Sequence, residues 1–355
     1  MENLGVNLSS FYKDRRVLVT GHTGFKGGWL SLWLYSLGAK VYGISLAPDS
    51  NPNLFELSGL SRLVDHQVLD IRNFRELKAS VSAINPEIVF HLAAQPLVRL
   101  SYKEPVDTFA TNVMGTVHLL ESLRDCDACR VCVAVTTDKV YRNREWYYPY
   151  REGDALGGHD PYSASKACSE LTVSSYRDSF LDKKLALATA RAGNVIGGGD
   201  WSQDRLIPDA VRAWSKDEAL MIRSPHSVRP WQHVLEPLHA YMKLVKALWF
   251  NQELAGAYNF GPNPSEAATV QQVIDLALHI YGKGRVEYSV DNNAPHEAGI
   301  LKLETSLAKE ILGIEPRFGL EESVKRTMEW YKKQHSGQNV LRLIQDDIAA
   351  YGVSL

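Results

Sequence analysis

Arg16-Val17-Leu18-Val19-Thr20-Gly21-His22-Thr23-Gly24-Phe25-Lys26-Gly27-Gly28-Trp29-Leu30 runs from an apolar, β-branched segment through spaced glycines into a helix-length segment. Gly21, Gly24 and Gly27 stand at the spacing G-x-x-G-x-x-G. Glycine at the first position permits a tight turn, at the second lets a pyrophosphate approach the backbone, and at the third lets the helix pack on the strand. The phosphate then sits at the positive N-terminus of that helix. Ordinary Gly-rich turns also carry this spacing, but a strand before it and a helix after it point to a dinucleotide site, with Thr23, Phe25 and Lys26 sharing the loop.

The rhythm continues outward to about residue 191. Apolar runs at Val17–Thr20, Val41–Ser45, Ile88–His91, Val131–Thr136 and Leu185–Ala190 predict strands, and Gly27–Leu37, Phe74–Ile84, Val106–Leu123 and Pro161–Phe180 predict helices between them. Such a βαβ series implies an α/β fold with a doubly wound, mainly parallel (Rossmann) sheet covered on both faces. After Asn194 comes Gly197-Gly198-Gly199 and then shorter elements with scattered prolines, which suggests a smaller α/β lobe. Helices are expected at His233–Phe250, Val270–Tyr281 and Leu320–Lys333. The expected division is residues 1–195 for the dinucleotide, with 233–262 packing back on them, residues 196–232 and 263–335 for a substrate, and 336–355 as a helical tail.

Composition narrows the class. Hydrophobic residues at 45% and charged residues at 23% describe an ordinary folded chain rather than a disordered or fibrous one. Lys plus Arg number 39 against 41 Asp plus Glu, so no basic field is available for a nucleic-acid backbone, and anions must be held locally. Met1–Ser10 lacks the basic and apolar blocks of a signal peptide and no long apolar run occurs, so a cytoplasmic protein with no membrane partner is expected. Cys126, Cys129 and Cys132 invite a metal hypothesis by spacing, but Cys132 lies inside an apolar run and no fourth ligand is near. Packing thiols, and no metal, are the expectation.

The end of the second strand should reveal the cofactor. An acid there binds the ribose of NAD, and an arginine accommodates the extra phosphate of NADP. Val41–Ser45 ends in Ser45-Leu46-Ala47-Pro48 with neither, which favours NAD over NADP. Asp70-Ile71 can meet the adenine edge, or Asp70 can cap a helix in competition with Asn73.

Tyr162-Ser163-Ala164-Ser165-Lys166 puts a phenol and an ammonium on one face of a helix start. A free tyrosine, with pKa of about 10, is a poor base at neutral pH, but a lysine charge and an oxidised nicotinamide favour the phenolate. Tyr162 can then take a hydroxyl proton as hydride leaves the same carbon. Thr137-Asp138-Lys139 stands at the C-terminal end of a central strand, where open α/β sheets bind ligands. Thr137 can hydrogen-bond an oxygen being oxidised, Asp138 can serve as acid and Lys139 as base.

Together these residues resemble the extended short-chain dehydrogenase/reductase family acting on nucleotide sugars, from about Arg16 to Tyr331. Thr137-Asp138-Lys139, His91–Arg99, Arg191–Trp201 and Arg229-Pro230-Trp231-Gln232-His233-Val234 resemble its branch of 4,6-dehydratases acting on CDP-D-glucose. The resemblance implies oxidation of the sugar at carbon 4 with NAD, loss of water across carbons 5 and 6, return of hydride to carbon 6, and a place in deoxysugar biosynthesis such as that of O-antigen. It places Leu92, Ala93 and Ala94 against the cofactor and Gln95 and Arg99 near the sugar. Asn194, Arg205 and Arg229 match positions holding the diphosphate, and His296 substitutes for arginines that related dTDP enzymes carry near Pro295–Gly299. Relatives on other nucleotides carry Glu where this chain has Lys139, which leaves the base open. Trp201, Trp231 and Tyr258 are candidates for stacking on the base. Family dimers pair two helices per subunit in a four-helix bundle, here Val106–Leu123 and Pro161–Phe180. The alternatives are a 4-epimerase or a dehydratase for a GDP, dTDP or UDP sugar, and a non-catalytic dinucleotide sensor, which would not need both Tyr162 and Lys166.

Overall fold

The computed structural model describes residues 7–181, 184–289 and 299–352. A sheet of seven parallel strands forms its centre: β1 (Arg16–Thr20), β2 (Lys40–Ser45), β3 (Asp65–Val68), β4 (Ile88–His91), β5 (Val131–Val135), β6 (Ala186–Ala192) and β7 (Ala257–Phe260). Their order is β7-β6-β5-β4-β1-β2-β3, so the winding reverses between β1 and β4. Crevices at such a reversal are where doubly wound sheets take their ligands. Strands β4, β5 and β6 are buried along their whole length, as a sheet covered on both faces requires.

Helices α1 (Phe25–Ser36), α2 (Phe74–Ile84), α3 (Gly115–Arg124) and α4 (Pro161–Tyr176) follow β1, β3, β4 and β5 in the chain. The helix expected over Val106–Leu123 runs unbroken from Pro105 to Arg124, but with a π turn inside it: Pro105–Phe109, the π turn at Ala110–Met114, and α3. The cause lies at Asn112, whose carbonyl accepts from the Thr116 and Ser169 hydroxyls at 2.7 and 2.8 Å, while its side chain bonds Gln95 and Ser165. Side chains that insert into the helical ladder in this way produce π turns. The second helix likewise ends in a π turn, at Arg177–Leu181. Cys126, Cys129 and Cys132 are buried in the core layer that includes Leu119, Leu123 and Val89.

Beyond β6 the chain builds short ladders: Val195–Ile196 with Gln232–His233, Val228–Arg229 with Ala268–Thr269, and Ala219–Ile222 with Arg285–Tyr288. Around them lie α5 (Leu206–Ser215), α6 (Leu235–Phe250), α7 (Val270–Tyr281), α8 (Leu320–His335) and α9 (Val340–Ala350). Helix α7 starts at a capping box between Thr269 and Gln272 and stops at Gly282 with φ +86°. Helix α6 returns to the sheet and packs on β5 and β6 before the chain enters β7. Among the described residues no helix is long and apolar enough to cross a membrane.

Candidate active site

The Gly-rich turn meets its steric requirements. Gly21 has φ +77°, and a Cβ on it would fall 2.7 Å from the Ala93 nitrogen. A Cβ on Gly27 would fall 2.0 Å from the Gly21 carbonyl oxygen, so only glycine lets α1 start this close to β1. At Gly24 a Cβ would meet only the Gly21 oxygen at 3.5 Å, and Gly24 is exposed. Gly24 is also the N-cap of α1 and supplies no side chain to the free N–H groups of the first turn. An approachable backbone and an uncapped helix start fit a dinucleotide pyrophosphate.

At the end of β2 the Thr23 hydroxyl bonds the Ser45 hydroxyl at 2.8 Å and the Leu46 carbonyl at 2.9 Å, which ties the turn to the second strand without a charge. Asp70 is clamped by Arg72, whose guanidinium and backbone N–H hold its carboxyl below the usual range. The cap of α2 is Asn73, not Asp70. Ile71 is buried with its side chain against Gly115. Leu92 and Ala93 follow β4, bonded to Thr20 through backbone N–H groups, and Ala94 precedes the Gln95 bend.

The Gln95 side chain donates to the Leu97 carbonyl and the Thr108 hydroxyl at 3.1 and 2.9 Å and braces the loop against the helix at Pro105–Phe109. A glutamine with backbone partners this near satisfies itself locally.

Beside the turn opens a cleft of about 830 Å³, lined from both halves of the molecule by Lys26, Thr137, Asp138, Lys139, Tyr162 and Arg205, and further by Arg99, Asn194, Arg229 and Trp231. A 3-10 turn over Asp138–Val140 follows β5 and presents the triplet. Thr137 donates to Asp138 Oδ1 at 3.0 Å, and Lys139 Nζ lies 3.5 Å from the same oxygen. Asp138 Oδ2 is buried and has no hydrogen-bond partner among the described residues. A buried carboxylate oxygen of this kind calls for a donor from outside the chain.

Asp160 caps α4 through the Ser163 N–H, with Pro161 in the first turn, and this sets Tyr162 into the cleft. Burial pushes the Tyr162 phenol up to about 12, against the lowering effects of a hydrogen bond with Thr137 and the Arg205 charge. Lys166 donates to the Val135 carbonyl at 2.8 Å, and burial brings it down to about 8 while Glu170 opposes the shift.

Arg205 reaches Asp200 at 3.3 Å, and Arg99 reaches Asp204 at 3.6 Å. Arg229 donates to the Val228 and Gly299 carbonyls at 2.9 and 3.4 Å. Of the stacking candidates only Trp231 lines the cleft; Trp201 packs edge-on against Trp330, and the buried Tyr258 bonds the Leu254 carbonyl. His296 lies outside the described residues. Lys26, expected in the dinucleotide loop, stands in that turn and also lines the cleft, and burial, Arg205 and Lys166 bring it down to about 7.

A dinucleotide turn at the reversal of a seven-stranded parallel sheet, with a Tyr-x-x-x-Lys helix beside it, defines an extended short-chain dehydrogenase/reductase. The family model described as GDP-mannose 4,6 dehydratase matches residues 18–327, and the chain belongs to that family. A CDP-glucose 4,6-dehydratase of Salmonella typhimurium is 46% identical over 349 residues, which cover 96% of this chain and 97% of that protein. Among solved structures, a UDP-glucose-4-epimerase from Stenotrophomonas maltophila with bound NAD superposes with TM-score 0.80 at 21% identity, covering 91% of this chain and 100% of that one. A dTDP-glucose 4,6-dehydratase from Bacillus anthracis in complex with NAD gives TM-score 0.76 at 22% identity, covering 92% and 99%. At such identities the two superpositions speak to the fold.

Proposed function

We propose that the chain is an NAD-dependent CDP-D-glucose 4,6-dehydratase yielding CDP-4-keto-6-deoxy-D-glucose. The carrying observation is Asp138, with one carboxylate oxygen held by Thr137 and Lys139 and the other without a partner among the described residues, in the cleft that Tyr162 lines. The 46% identity with a CDP-glucose 4,6-dehydratase supports the nucleotide. An epimerase has no use for an acid and a base beside the phenol.

Bound NAD supplies a reversible hydride acceptor and a positive ring. The residues do the rest. Tyr162 takes the proton of the carbon 4 hydroxyl, and Thr137 hydrogen-bonds that oxygen. The new carbonyl acidifies the carbon 5 hydrogen, which Lys139 removes as its free amine while Asp138 gives its proton to the departing carbon 6 hydroxyl. Moving one proton across the 3.5 Å Lys139–Asp138 contact turns the ion pair into that acid and base. Bound NAD would supply the hydride that carbon 6 gains, while the Lys139 ammonium returns its proton to carbon 5 and the proton held by Tyr162 passes through solvent to replace the one Asp138 gave up.

Gly21, Gly24 and Gly27 with Thr23, Phe25, Lys26, Ser45, Asp70, Ile71, Leu92, Ala93, Ala94, Tyr162 and Lys166 hold the cofactor in this reading. Asn194, Arg205 and Arg229 hold the diphosphate by charge-assisted bonds, with Gln95 and Arg99 near the sugar. Residues 1–195 with 233–262 carry NAD, and 196–232 with 263–335 carry the nucleotide. The protein works in the cytoplasm, in deoxysugar biosynthesis of the O-antigen kind, as a homodimer. Val106, Met114, Leu171 and Phe180, exposed on the helices expected to pair, support that dimer.

The test is incubation with CDP-D-glucose and NAD in deuterated water, followed by mass spectrometry. Loss of one water with deuterium at carbon 5 is expected. Tyr162→Phe should lower the rate by about 10²–10⁴ and Lys139→Ala strongly. Recovery of unlabelled sugar, or of its 4-epimer, would sink the elimination.

A further inference from the structure

Glu170 and Arg191 are 4% and 3% exposed, and neither lines the cleft. Arg191 donates through Nε and Nη2 to the two Glu170 oxygens at 3.0 and 2.8 Å. The same carboxylate accepts from the hydroxyl of Thr136 and from that of Thr189, the latter at 2.7 Å. The remaining guanidinium nitrogen, Nη1, donates to the Tyr141 hydroxyl and the Glu152 carbonyl, both at 2.9 Å. Tyr141 in turn donates to Asn259 Oδ1 on β7 at 2.6 Å. The Asn259 amide donates to the Tyr150 and Glu304 carbonyls at 2.9 and 3.0 Å.

The chain positions give this network its meaning. Thr136 immediately precedes Thr137-Asp138-Lys139, and Tyr141 follows Val140 directly after it. One ion pair thus grips the active segment at both ends, the carboxylate at its entry and the guanidinium at its exit. Glu170 also stands one helical turn beyond Lys166, with its charge favouring the ammonium. Buried ion pairs add little net stability over apolar replacements, because desolvation offsets their attraction. What four charge-assisted bonds to one carboxylate do supply is a fixed position.

We propose that Glu170 and Arg191 are positioning residues that fix the Thr137-Asp138-Lys139 segment for elimination. The proposal rests on the elimination assigned above. Because Asp138 and Lys139 serve water loss while Tyr162 is set by the Asp160 cap at the start of α4, about two turns from Glu170, loosening the grip slows elimination more than oxidation. Misplacement of a reacting group by about 1 Å can cost on the order of a hundredfold.

The test compares Thr136→Val, which removes one hydroxyl from the entry, Tyr141→Phe, which removes one from the exit, and Glu170→Gln. Each full-length variant is checked for fold by circular dichroism and for NAD affinity by titration. Expected are unchanged NAD affinity, KM within a few-fold, and kcat lowered about tenfold or more in Thr136→Val and Tyr141→Phe. The absorbance of reduced nicotinamide should build up during turnover in these variants and not in the parent, a partition that a general loss of stability would not produce. If Glu170→Gln does not fold, the two hydroxyl variants decide. Unchanged kcat in both, or a fall without reduced nicotinamide building up, overturns the positioning role. A parent enzyme that releases no water from CDP-D-glucose overturns the function instead.

Discussion

Lys26 belongs to the cofactor turn by sequence and to the substrate cleft by its side chain, and its ammonium lies 5.9 Å from the centre of the Tyr241 ring. Burial first, then Arg205 and Lys166, bring it down to about 7, with Asp138 acting the other way. The sign follows: the charge is present below pH 7 and lost above it. A diphosphate entering between Lys26 and Arg205 gains from that charge, and a charge-assisted bond of about 1.5–3 kcal/mol corresponds to roughly ten- to a hundredfold in affinity. Lys26→Met should therefore lower kcat/KM by about that factor at pH 6 and progressively less as pH rises through 7, since kcat/KM reports the free enzyme. Parallel pH profiles for the two proteins would contradict it. Motif spacing made Tyr162, Lys166 and Thr137-Asp138-Lys139 legible, because neighbours in sequence are neighbours in the site. The reach of Lys26 from the Gly-rich turn into the cleft, the bracing of Gln95 and the Glu170–Arg191 grip were not, because each depends on which strand lies beside which.

At the scale of elements, one turn holds three parts of the molecule together. The Gly198 carbonyl accepts from the Trp29 indole of α1 at 2.9 Å, and a Cβ on Gly198 would fall 2.0 Å from the Trp330 ring of α8. Gly198→Ala should cost about 1–3 kcal/mol by overpacking, read as a lowered melting temperature. A double variant with Trp330→Leu should recover part of the loss, and strictly additive effects would show that the two do not touch in solution. Strong apolar runs announced β1, β2, β4, β5 and β6 to within a residue or two, and helix α7 matches its expected bounds. β3, Asp-His-Gln-Val, is exposed or half-buried throughout and carries no such run. β7 escaped for another reason: Ala-Tyr-Asn-Phe is four residues long and owes its strand to the open edge of β6. The π turn at Ala110–Met114 was hidden in an unbroken helical pattern, since the hydroxyls that cause it come partly from α4.

For the whole molecule, buried histidines set the response to acid. Burial lowers His22 to about 4 and His91, His233 and His239 to about 3, so all four are neutral in the fold. Unfolded histidines take up a proton near pH 6.5, so the unfolded chain binds more protons than the native one between that value and the folded pKa. Stability is then fully present above about pH 6.5 and falls with acidification, by up to about 1.4 kcal/mol per histidine for each unit. Melting temperatures measured from pH 7.5 to 5 should decline below about 6.5, and a level profile would refute this. The same whole-molecule view gives the late position of β7 a consequence for biogenesis. A ribosome must deliver the Val195–Ile196 and Gln232–His233 ladder and all of α6 before the sheet receives its edge strand at Ala257–Phe260. Until then the edge of β6 stays unpaired, and Tyr141 lacks its Asn259 partner. The sheet begun at residue 16 is therefore closed only once residue 260 has been made.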